Sequence, residues 1–149
     1  MINLTNRAGA QPMGWDITLI SDETADDSDK TITVPARYEY QILTIWIELT
    51  TTATVGARQI EVQFRDAADD AFFGIIPGVT QAASLTYHYA IGPSLADHLG
   101  VRDAHYVMTP MPPTMFLEAG EDIRIFDNNA VAAAADDMIV HVKVARRPV

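Results

Sequence analysis

Cysteine is absent from the 149-residue chain, which excludes disulfides, cysteine-ligated zinc and cysteine nucleophiles. Basic residues are scarce: ten Lys and Arg stand against twenty Asp and Glu, for a formal net charge of −10. A field of that sign favours solubility and opposes binding to a polyphosphate backbone. The one basic cluster, Arg146-Arg147, is too small to reverse it, so no nucleic-acid partner is expected. Long apolar runs are missing as well. No window approaches the roughly 18 apolar residues of a spanning helix, and no membrane partner is expected. Met1 to Arg7 shows no basic head followed by an apolar run, so no signal peptide is expected there. Internal repeats and low-complexity tracts are also lacking.

What is present is alternation. The length suits one domain. Residues 1–14 are polar, contain Gly9, Pro12 and Gly14, and read as an extended arm held by a neighbouring subunit; 15–149 read as a single sandwich domain. Asp16 to Ile20 and Thr31 to Val34 are short strands around an acidic loop, 21–30. From Tyr40 to Thr52, Leu43, Ile45, Ile47 and Leu49 share the face expected in the core, while Ile42, Thr44, Trp46 and Glu48 share the other. In the next alternating run Ile60, Val62 and Phe64 point inward, and a turn at 54–57 is expected to join the two runs as a hairpin. Leu85 and Tyr87, Ile123 and Ile125, and Val140, Val142 and Val144 complete the expected core. Residues 94–100 read as one or two helical turns, with Ser94 as cap and Gly100 as stop, and 128–137 as a short helix or a loop. Eight to ten short strands with turn signals between them, and neither a long amphipathic helix nor a βαβ alternation, predict an all-β fold. It is an antiparallel β-sandwich, jelly-roll-like, with an extended N-terminal arm.

Chemistry is sought at four places. His88, His98, His105 and His141 show no His-x-His or His-x-x-x-His spacing, so they read as surface or structural histidines. Asp26, Asp27 and Asp29, and Asp66, Asp69 and Asp70, lack the Gly of a calcium loop and read as solvated acidic loops. No Gly-x-Ser-x-Gly elbow or phosphate loop occurs. Asp136 and Asp137 are adjacent near a strand and should point opposite ways. No catalytic residue, cofactor or metal is therefore expected. Trp46, on the outer face, could be a sugar platform or an interface anchor, or simply be covered by a loop.

The stretch Trp46 to Arg58, reading WIELTTTATVGAR, resembles a segment of tailed-bacteriophage virion proteins. Gln81 to Thr86, Pro110 to Pro113 with Leu117 to Arg124, and Ala135 to Asp137 fit the same pattern in the same order, together spanning roughly residues 38 to 145. The resemblance implies a virion structural protein, such as a capsid cement or decoration protein, made in the host cytoplasm and placed on the capsid surface. Its partners would be the major capsid protein and further copies of itself, most simply as a trimer. Leu4, Met13 and Trp15 of the arm region, with Tyr38, Tyr40 and Trp46, are the expected interface residues. The alternatives are a head–tail connector or tail component, or a carbohydrate- or receptor-binding module.

Overall fold

The computed structural model describes residues 14–25, 28–98 and 100–149. Ten strands follow one another with no helix among the described residues: β1 (Asp16–Asp22), β2 (Asp29–Thr33), β3 (Tyr38–Thr50), β4 (Ile60–Arg65), β5 (Ala71–Ile75), β6 (Thr86–Pro93), β7 (Tyr106–Met111), β8 (Met115–Leu117), β9 (Asp122–Asp127) and β10 (Asp137–Pro148). One sheet has the order β1-β10-β3-β6-β7, with β8 also pairing β3, and the other has β2-β9-β4-β5. Setting aside β7 and β8, the chain passes between the two sheets in the order of a jelly roll, the double Greek key expected from the strand count. β6 and β7 pair in parallel, and the other paired strands are antiparallel.

The core lies between the sheets. Ile45, Ile47 and Leu49 of β3 and Val140, Val142 and Val144 of β10 meet Ile60, Val62 and Phe64 of β4 and Ile123 and Ile125 of β9, all buried. Burying each such side chain contributes about 1.5–3 kcal/mol. Leu85 and Tyr87 are only half-buried, because β6 enters the sheet at Thr86 and dives between the sheets at Tyr89 and Ile91.

Two expectations need correction. β3 and β4 do not form a hairpin: they belong to different sheets, and the loop 51–59 carries the chain across the end of the sandwich. Alternation and a Gly-containing turn look the same whether the second strand folds back in its own sheet or crosses to the facing one. The inward set of β3 is also not continuous. Lys143 pairs with Thr44 and Val144 with Ile42, leaving Leu43 as the extra residue of a β-bulge. The bulge reverses the alternation, so Ile42 and Tyr40 are buried and Leu43 is only half-buried. Residues 94–98 and 128–136 are turns and irregular segments rather than helix.

Candidate protein interface

The outer face of the six-stranded sheet is built by cross-strand register. His141 on β10 stands opposite Trp46 on β3, which stands opposite Ala90 on β6, which stands opposite Met108 on β7. The next row is Ile139, Glu48, His88 and Tyr106. The rings gather into one cluster: Trp46 lies 5.4 Å from His88 and His88 4.5 Å from Tyr106, both stacked, with Trp46 and Tyr106 tilted at 6.2 Å. His88 Nδ1 is buried, has no hydrogen-bond partner among the described residues, and lies 3.4 Å from Glu48 Oε2. Within the cluster Tyr106 is 44% exposed; beyond it Met108 is 37% and Leu19, on the edge strand β1, 59% exposed. The solvent face of an antiparallel sheet is ordinarily polar. Around Trp46 this one presents rings and Met108 among the polar neighbours Glu48 and His141, and aromatic and Met side chains are those enriched at interface centres.

The expected interface residues separate. Leu4 and Met13 lie outside the described residues. Trp15 packs on Phe116 at 6.0 Å, with the Arg147 guanidinium 4.8 Å over its ring, so it ties the start of β1 to its own domain. Tyr38 packs half-buried against the core, beneath Arg146 at 5.5 Å. Tyr40 is corrected: it is 4% exposed, turned into the core by the Leu43 bulge, and burial raises its hydroxyl's pKa. Trp46 is outward but half-buried among the rings just described.

The polar chemistry of the interior is concentrated at Arg58. Its Nε donates to Asp136 Oδ2 at 2.7 Å and its Nη2 to Asp136 Oδ1 at 3.1 Å, while its Nη1 donates to the Thr54 and Gly56 carbonyls. Thr52 adds its backbone N–H and its hydroxyl to Asp136 Oδ1. Burial alone would raise the Asp136 pKa, but the hydrogen bonds from Arg58 and Thr52 outweigh it and hold the carboxyl below its ordinary value. Next to this pair, Gln81 Nε2 donates to the Leu49 and Leu85 carbonyls and its Oε1 accepts from the Tyr89 hydroxyl. Sequence reasoning missed these residues, although a signal existed. Arg58 has the parity of Ile60, Val62 and Phe64, and Asp136 that of Met138 and Val140.

Elsewhere the charged groups tie loops and neighbouring strands. Asp66 Oδ1 accepts from the N–H groups of Ala68 and Asp70, and Asp69 lies 3.4 Å from Arg65. Asp29 pairs with Arg124, and Asp26 and Asp27 lie outside the described residues. His141 Nδ1 shares a 2.7 Å hydrogen bond with Ser21. Among the described residues no group of three or more His, Asp or Glu side chains is placed to hold a metal ion.

These features define a class: a jelly-roll β-sandwich with a buried polar brace at one end and a ring cluster on its six-stranded sheet. No protein-family model matches the chain, and no curated protein matches it. Among solved structures, a chain in the structure of infectious bursal disease virus Gx strain aligns with 100% of this chain and 41% of its own length, at 11% identity and a TM-score of 0.33. This chain therefore spans less than half of that one, and a likeness of this degree carries no functional argument.

Proposed function

We propose that this chain is a virion structural subunit of a tailed bacteriophage, a decoration protein that trimerises on the exterior of the head and strengthens it. The observation that carries the reading is the outer face of the six-stranded sheet, where Trp46, His88 and Tyr106 stack beside Met108 on an otherwise strongly acidic protein. The segments resembling phage virion proteins supply the setting. A net charge of −10 suits the outside of a DNA-filled shell, since an inward face would meet the packaged polyanion. A trimer placed where capsomers meet touches several at once, and multivalency turns weak contacts into stable attachment.

The test is to image purified particles of the encoding phage with the protein tagged at Val149. The expected result is density on the head exterior at three-fold positions. Particles without the protein, or label confined to tails, overturn the decoration reading; the second result supports the tail-component alternative.

A further inference from the structure

We propose that the free edge of β5 takes up an added strand from a neighbouring copy of this chain, and that the added strand is residues 2–7. The inference deepens the oligomer proposed above and rests on that reading only for the existence of a second copy. β5 closes one side of the four-stranded sheet and, among the described residues, pairs with β4 alone. Among the described residues its other edge has no backbone partner. Phe72 is 52%, Phe73 38% and Ile76 48% exposed. Neither Lys nor Pro interrupts 71–76. The bulge at Phe72 disturbs only the start of the strand. An apolar edge that no described residue pairs is a template for another strand. In strand addition the main-chain bonds supply affinity and the alternating side chains supply specificity.

Polarity and charge select the occupant. β1 and β5 both begin at the same end of the sandwich, where the loop 118–121 lies between Val34 and Ala67 and where Trp15 packs on Phe116. A strand antiparallel to β5 finishes at that end, beside Asp66, Asp69 and Asp70, and there hands the chain on to Gly14. Residues 2–7 read Ile-Asn-Leu-Thr-Asn-Arg: they alternate, and Arg7 is the sole charged side chain of residues 1–13. Setting Arg7 against Ala71 in an antiparallel pair brings that charge to the acidic loop, Leu4 to Gly74 and Ile2 to Ile76. Gly74 leaves room for the leucine, since a side chain there would meet nothing closer than Glu61 Oε1 at 3.8 Å. Residues 8–13 can span up to about 20 Å, enough to reach an adjoining subunit. β1 and β5 stand on opposite flanks of the sandwich. A chain's own segment would therefore have to cross the end loops, whereas a neighbour's meets the edge from outside.

The lack of cysteine makes the test clean. Full-length Leu4→Cys copies are mixed with full-length Gly74→Cys copies, and separately with Ile76→Cys copies, so that a register slip of two residues is also captured. Each mixture is then oxidised. The expected result is a disulfide-linked dimer containing one chain of each variant. Adding Arg7→Glu to the Leu4→Cys chain should lower its yield about tenfold at low salt. A link found only inside a single chain of the Leu4→Cys/Gly74→Cys double variant overturns the exchange between copies. A link between two Gly74→Cys chains assigns the edge to β5 itself. No heterologous link in either mixture, with the β-sheet circular dichroism intact, overturns the proposal outright. No particle is required, so these outcomes stand apart from the fate of the virion reading.

Discussion

Arg58 and Asp136, 78 residues apart in sequence, form a fully buried ion pair that closes the end of the sandwich, with Nε 2.7 Å from Oδ2. Each group also binds backbone: Asp136 takes the Thr52 N–H, and Arg58 reaches the Thr54 and Gly56 carbonyls. The pair therefore shapes the loop that carries the chain from one sheet to the other. Removing one partner leaves a buried charge without compensation. Asp136→Asn should destabilise by about 3–5 kcal/mol, and the double variant Arg58→Met/Asp136→Leu by less than the sum of its single changes. Urea unfolding of the parent, Asp136→Asn, Arg58→Met, Asp136→Leu and the double variant measures this, and additive losses in the last three would show that the two groups do not act as a pair.

The same pair sets an acid limit. The folded-state pKa of Asp136 lies below its ordinary value. Its contribution is therefore present above the unfolded pKa of about 3.9 and lost as the pH falls through the lower folded value. The urea midpoint should drop below about pH 4 in the parent protein. That portion of the drop should be missing from Asp136→Asn. Parallel pH profiles for the two proteins would assign the acid sensitivity to other carboxylates.

At Leu43 the period-two reading of the sequence fails. The alternation from Ile45 to Leu49 is legible, as are the inward sets of β4, β9 and β10, because none of these runs carries a bulged residue of its own and each has one buried face. The bulge is invisible to it: Tyr40, Ile42, Leu43 and Ile45 are all acceptable strand residues, and only the pairing with β10 shows which one is skipped. Sheet assignment is invisible for a related reason, since Phe64 alternates identically in either sheet. Leu43→Thr should cost no more than about 1 kcal/mol, whereas Ile42→Thr, at 1% exposure, should cost about 2–4 kcal/mol. Equal losses at the two positions would contradict the bulge.

The ring cluster was half legible. Alternation places Trp46 outward, but not its partners, which come from β6 and from the parallel strand β7. Trp46 and Tyr106, at 6.2 Å, should show a coupling of about 0.5–1.5 kcal/mol in a double-mutant cycle to Ala. Either single change should leave the β-sheet circular dichroism intact, because both side chains stand outside the core. A coupling indistinguishable from zero would mean that the rings are independent surface groups.

Gly56 is where the brace and the neighbouring loop meet most tightly. Its φ is +148°, and a Cβ placed there would lie 2.8 Å from Val131 Cγ1 and 3.0 Å from Cγ2. Its carbonyl accepts a hydrogen bond from Arg58 Nη1 at 2.8 Å, so the loop cannot retreat from Val131 without weakening the contact to the buried guanidinium. Gly56→Ala should therefore cost about 1–3 kcal/mol, combining the clash with an unfavourable φ. Val131→Ala removes both γ-carbons at a half-buried site and should cost less than about 1 kcal/mol alone. Combined with Gly56→Ala it should restore the clash portion and leave the φ portion. A Gly56→Ala protein as stable as the parent would show that the crossing loop is not pressed against the 128–136 segment. A loss that Val131→Ala does not reduce would place the strain in the backbone of residue 56 alone.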